Sequence, residues 1–161
     1  MGITEAGTGD AALIKSSVGI GALLAEGIGD TIRVSLSAEP EAEVKAAYTI
    51  LQSLDLRRYY PEIISCPTCA RARINIVRLA EQVNRLVLEQ PRQDWKLPLK
   101  IAVMGCAVNG PGEAREADFG LAGGRGEGLF FRNGKIVGKV AEKDFLRVLK
   151  KEIAKHHGNK P

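Results

Sequence analysis

The chain has few of the residues that build closed metal sites, disulfide scaffolds or nucleic-acid platforms. Its 161 residues include three cysteines, two histidines and one tryptophan. Three thiols cannot all pair as disulfides within one chain, so a disulfide-stapled scaffold is excluded. The two histidines are the adjacent His156 and His157 near the C-terminus, which leaves little for a Cys/His zinc site. Aromatic residues make up 5% of the chain, too few for a stacking platform among the basic residues, and nucleic acid is not an expected partner. No unbroken apolar run is long enough to span a membrane. Met1–Glu5 lacks the basic segment and apolar run of a secretory signal, and Ala6 stands where a myristoylation signal needs Ser or Thr. Unpaired thiols without an export signal point to a reducing cytoplasm.

What is present suits one ordinary domain, or a small domain plus part of another: 45% of the residues are hydrophobic. The net charge of +4 is unevenly spread. Between Leu56 and Lys100 there are nine Lys or Arg against four Asp or Glu. Such an excess is either a solvated helix face or a surface that steers an anionic substrate or an acidic protein partner.

Periodicity predicts α/β construction. Ile14 to Gly27 has helical spacing and a glycine stop. Thr31–Ser37 alternates like a strand, and Glu39-Pro40-Glu41 opens a second helix. Composition shifts near Asp55–Pro61, where a domain boundary is expected. Beyond it come a short strand at Glu62–Ser65 and a long helix from Ala72 to Gln90, apolar at Ile76, Leu79, Val83, Leu86 and Val87 and ended by Pro91. A buried strand then runs from Leu99 to Met104 into Gly105-Cys106. Gly105 to Gly128 holds eight of the 18 glycines and reads as turns or close backbone approach. A hairpin turning at Asn133-Gly134, a closing helix from Glu142 to Lys155 and a frayed tail from His156 complete the reading.

The cysteines fall in two turns, Ser65-Cys66-Pro67-Thr68-Cys69 and Met104-Gly105-Cys106-Ala107-Val108-Asn109, with Glu113 seven residues past Cys106. Backbone amides in such turns can stabilise thiolate or sulfide. Three readings stay open from spacing alone. The thiols are buried small hydrophobes, or they bind zinc with Glu113 or water as fourth ligand. The third is an iron–sulfur cluster with one replaceable oxygen ligand, a labile corner where chemistry would occur.

Ile64–Cys69 together with Val103–Asp118 closely resembles 4-hydroxy-3-methylbut-2-enyl diphosphate synthases, iron–sulfur enzymes of the non-mevalonate isoprenoid pathway. The resemblance extends through Gly2–Gly7, Ile14–Gly21 and Asp30–Leu36, and so covers nearly the whole chain in order. It implies an α/β fold in which residues 1–55 are the last part of a (β/α)8 barrel and residues 56–161 are a small α/β domain carrying a [4Fe-4S] cluster. Further diphosphate contacts of the family lie on earlier barrel strands, outside this sequence, and the chain alone is expected not to turn over. The resemblance implies that Cys66, Cys69, Cys106 and Glu113 ligate the cluster. It likewise implies that Glu5 is a catalytic carboxylate and that Thr4, Arg33, Ser35 and Asn109 contact substrate. Ala70 and Ala72 depart from the family, which more often has Gly and Thr there. The implied reaction is reductive ring opening and dehydroxylation of 2-C-methyl-D-erythritol 2,4-cyclodiphosphate, with ferredoxin or flavodoxin as electron donor and a homodimer as the working form. Those donors are acidic, which would give the basic 56–100 segment, with Arg71, Arg73 and Arg78, a purpose. The alternative is an iron–sulfur or zinc-binding module without catalysis of its own.

Overall fold

The computed structural model of the chain describes residues 1–88, 99–107, 112 and 114–156, which fall into two compact units, Met1–Tyr60 and Pro61–Pro161.

The first unit is built on two helices, α1 (Gly9–Ala25) and α2 (Pro40–Ser53). α1 starts earlier than its apolar spacing predicts, with Asp10 in its first turn. It stops as predicted at Gly27, whose φ is 75°. There Gly27 N–H donates to Leu24 O (3.0 Å) and Ile28 N–H to Leu23 O (2.9 Å), closing the last carbonyls. α2 begins with proline in its first turn, where the missing N–H costs no hydrogen bond. Asp55, at φ 53°, ends it in the same way that Gly27 ends α1. Ile20 and Leu24 of α1 pack with Val34 and with Ala46 and Ile50 of α2. The opposite side of α1 leaves Ile14 62% and Val18 66% exposed. A helix apolar on both sides has the composition of one covered on both.

The strand expected over Thr31–Ser37 forms no regular ladder among the described residues. Its alternation is kept: Val34 is buried with Ile32 and Leu36 against it, while Arg33 is exposed and Ser35 half-buried. Three main-chain bonds among the described residues tie it to the N-terminal segment: the Met1 amino group to Thr31 O (2.7 Å), Arg33 N–H to Met1 O (2.8 Å) and Ser37 N–H to Gly7 O (3.2 Å). Isolated bonds to one flanking segment do not make a ladder; a parallel strand is completed by neighbours on both sides.

The second unit holds a five-stranded sheet in sequential order: β1 (Glu62–Ser65), β2 (Lys100–Met104), β3 (Phe119–Gly123), β4 (Glu127–Arg132) and β5 (Lys135–Ala141). β1, β2 and β3 are parallel, and β3, β4 and β5 antiparallel. α3 (Ile76–Leu88) lies between β1 and β2 in the chain, and α4 (Phe145–His156) follows a short 3-10 turn at Glu142–Asp144. Alternate residues of the central strands face opposite sides. Ile101, Val103, Phe119, Leu121 and Phe130 meet Ile76, Leu79 and Val83 of α3 and Leu149 and Ile153 of α4. Ala102, Met104, Ala122 and Phe131 are covered by Ala114 and Ala117.

Several expectations need correction here. β3 lies in the glycine-rich stretch, read as turns or close backbone approach, where periodicity predicts no strand; close approach is what its glycines show. Glycine is depleted in strands, but this one needs it: a Cβ on Gly120 would stand 2.3 Å from the Ala102 carbonyl oxygen and 2.7 Å from the Phe131 ring. α3 starts at Ile76 rather than Ala72, because residues before it are held in turns and Asn75 Oδ1 accepts the Arg78 N–H (3.0 Å) as a cap. The predicted end of this helix at Gln90 and Pro91 lies outside the described residues. His156 is not in a frayed tail but is the last residue of α4, its ring stacked on Phe119 at 5.6 Å. The hairpin turns at Asn133-Gly134 as expected, both at positive φ (48° and 70°).

Candidate functional site

The candidate residues form two groups, one in each unit. In the second unit Cys66 directly follows β1, and Cys106 follows β2 after Gly105. These strands are parallel neighbours, with Ser65 opposite Val103, so both cysteine turns leave the same end of the sheet. Parallel pairing thus joins two motifs that lie far apart in the chain.

Three backbone hydrogen bonds hold the turns. Gly105 N–H donates to Cys66 Sγ at 3.1 Å. Arg73 N–H donates to Gly105 O (2.9 Å), and Ala72 N–H to Cys69 O (3.0 Å). The approach at Gly105 is close: a Cβ there would lie 3.2 Å from Ala72 Cβ and 3.5 Å from Cys66 Sγ. Cys106 is buried, Cys66 half-buried and Cys69 exposed. Among the described residues, no three His, Cys, Asp or Glu side chains converge closely enough to hold a metal ion. Asn109 and Glu113 lie outside the described residues.

The residues after Glu113 split by role. Ala114 and Ala117 are buried under the sheet, while Arg115 and Glu116 are exposed. Asp118 locks the register between β2 and the start of β3. Its carboxylate accepts the Lys100 N–H (2.7 Å), and its own N–H donates to Lys100 O (2.9 Å). Gly105 and Asp118 are the two positions that residue chemistry alone did not single out. A glycine beside a cysteine, and an acid before a strand, are the only signals they carry.

In the first unit Arg33 and Thr4 meet: Arg33 Nη2 donates to Thr4 Oγ1 at 2.9 Å. Ser35 lies on the same side of its segment as Arg33, two residues on. Glu5 is exposed and holds φ at 61°, a left-handed conformation uncommon outside glycine.

Two family descriptions match the chain in sequence order. The GcpE TIM-barrel domain covers residues 1–48 and the GcpE protein C-terminal domain covers 62–155, the stretch that holds the sheet and all three cysteines. The chain belongs to the GcpE family. The α/β fold is therefore that of a GcpE barrel tail followed by the GcpE C-terminal domain. Similar proteins bear the name 4-hydroxy-3-methylbut-2-en-1-yl diphosphate synthase (flavodoxin). One from Brevibacillus brevis is 58% identical across 95% of this chain and 41% of its own length. One from Geobacter sulfurreducens is 54% identical across 96% and 42%, and one from Bacillus subtilis 53% across 95% and 39%. This GcpE-family chain thus spans about two fifths of the length of the curated relatives it matches.

Proposed function

We propose that this chain is the cluster-bearing part, with the end of the barrel, of an enzyme that reduces 2-C-methyl-D-erythritol 2,4-cyclodiphosphate to 4-hydroxy-3-methylbut-2-enyl diphosphate. Flavodoxin is the proposed electron donor and the cytoplasm the proposed setting. The name of relatives at 52–58% identity supports the reaction and the donor. The observation that carries the site is the convergence of two cysteine turns at one end of β1 and β2, with Gly105 N–H on Cys66 Sγ.

The donor set suits a [4Fe-4S] cluster. Thiolates are its ordinary ligands, and an amide N–H directed at sulfur is the usual way a protein tunes it. Cys66, Cys69 and Cys106 would hold it, with Glu113 as the exchangeable oxygen ligand. When bound, the cluster supplies electrons one at a time and Lewis acidity toward a substrate oxygen. The chain's own residues do the rest. Arg33 and Ser35 offer a guanidinium and a hydroxyl to diphosphate oxygens. The Arg33–Thr4 bond fixes the guanidinium while leaving its other N–H groups available. Glu5 is the carboxylate for proton transfer to the leaving hydroxyl, and its left-handed backbone matches the strain that functional positions often keep. Asn109 contacts the substrate hydroxyl. The working form is a dimer of longer chains.

The test is anaerobic reconstitution with iron and sulfide, followed by metal analysis and absorption spectra of the wild type and Glu113→Ala. About four irons per chain with broad visible absorption, and an altered spectrum in the variant, are expected. A colourless protein holding one zinc would overturn the reading.

A further inference from the structure

The rim around the cysteine turns is basic. β1, β2 and β3 are parallel, so their C-terminal ends share one end of the sheet. The turn after β1 carries exposed Arg71 and Arg73 next to exposed Cys69. The turn after β3 carries exposed Arg125. These turns adjoin: a Cβ on Gly123 would stand 2.7 Å from Ile74, and Arg73 N–H reaches Gly105 O. The 3-10 turn that leads into the start of α4 is drawn to the same rim by Glu142 N–H on Gly126 O (3.0 Å). Between α3 and this start lies a cleft of about 420 Å³ whose lining includes Ile74, Arg78, Glu142 and Lys143.

Among the described residues none of Arg71, Arg73, Arg78, Arg125 and Lys143 is ion-paired. The nearby acids Glu127 and Asp144 are already paired, with Lys139 and Arg147. Glu142 is left as the one exposed acid of the cleft. Cations with no ion-pair partner among the described residues, on the rim that carries the most exposed cysteine, fit a complementary acidic surface. They are spread over three chain segments rather than converging on one pocket, which suits a protein surface better than a small anion. The sequence alone shows a basic segment; only the fold recruits Arg125 and Lys143 to it and separates Arg85 from it along α3.

We propose that this collar, Arg71, Arg73, Arg78, Arg125 and Lys143, is the docking surface for an acidic flavin-bearing electron carrier, seated over Cys69. Each productive encounter moves one electron, oxidising the flavin by one and reducing the metal centre by one. The inference rests on the function proposed above, because docking matters only if the cysteines hold a redox centre.

The experiment compares Arg73→Glu/Arg125→Glu with Lys150→Glu/Lys151→Glu, an equal change of charge at exposed residues of α4. Binding of an acidic bacterial flavodoxin is followed by nuclear magnetic resonance titration of the flavodoxin with each chain, without metal. Cluster reduction in the reconstituted chains is followed by stopped flow with reduced flavodoxin and with dithionite. The collar pair should weaken binding and slow flavodoxin reduction by about 10-fold or more, and leave the dithionite rate unchanged. The α4 pair should move neither. Equal effects of both pairs, equal slowing with dithionite, or no flavodoxin binding by the wild type would overturn the docking surface. If the chain takes up no cluster, the function proposed above fails, while the titration still decides whether the collar binds.

Discussion

Gly120→Ala tests how the sheet sets the position of the cysteine turns. The added methyl would meet the Ala102 carbonyl oxygen at 2.3 Å and the Phe131 ring at 2.7 Å. Both obstacles are buried, and the nearer one is backbone in the β2–β3 ladder, so it cannot swing away. Overpacking of this kind costs about 1–3 kcal/mol, and the carbonyl contact argues for the upper end. Alanine also stiffens the unfolded chain, which returns about 0.4–1 kcal/mol. A net loss of about 2 kcal/mol should speed amide exchange across β2 and β3 roughly 30-fold. Hydrogen exchange read by mass spectrometry is the assay of choice, because it separates the two units. Peptides from α1 and α2 should be unchanged and serve as the internal control. Phe131→Leu in the same chain should restore only part of the loss, since it clears the ring but not the carbonyl. Exchange in β2 and β3 that stays within twofold of wild type, or complete rescue by Phe131→Leu, would refute the packing argument.

Two further outcomes are expected. Burial alone raises the Glu152 carboxyl, but hydrogen bonds from Lys155 and Arg132 outweigh it and hold it below its ordinary 4.5. A depressed folded value contributes stability that is complete above the unfolded value and is lost as pH falls through the folded one. Urea midpoints of the wild type should therefore drop more steeply below about pH 4.5 than those of Glu152→Gln, and parallel curves would contradict this. Asn133→Val forces a β-branched residue to φ 48° in the β4–β5 turn and should lower stability by about 1–2 kcal/mol; Asn133→Gly should be near neutral in the same melt.

The two units differ in how much of them could be read from residue order. Helices α1 and α2 announce themselves by apolar spacing and by end signals, Gly27 and Pro40, that act within one turn of chain. The Asn133-Gly134 hairpin is equally local, because the turn needs two positive φ values and these residues supply them. β3 was illegible for the opposite reason. Gly120 is demanded by Ala102 and Phe131, which approach it from other strands, and Gly123 faces Ile74 from the turn before α3, so no window around Phe119–Gly123 contains the cause. The start of α3 was misplaced for a related one: Arg73 N–H is spent on Gly105 O, a partner from another turn, instead of on a helix.

The candidate site divides along the same line. Residue order alone determined that three thiols sit in two glycine- and proline-bearing turns and that the chain resembles an iron–sulfur enzyme family, since ligand type and spacing are written in the chain. Only the tertiary structure decided that Gly105 N–H bonds to Cys66 Sγ, that Thr4 braces Arg33, and that Arg125 and Lys143 join Arg71 and Arg73 on one rim. Hydrogen bonds and charge act through space over a few ångströms, whereas these partners lie tens of residues apart. In the second unit, parallel pairing of β1, β2 and β3 is what turns that chain separation into proximity.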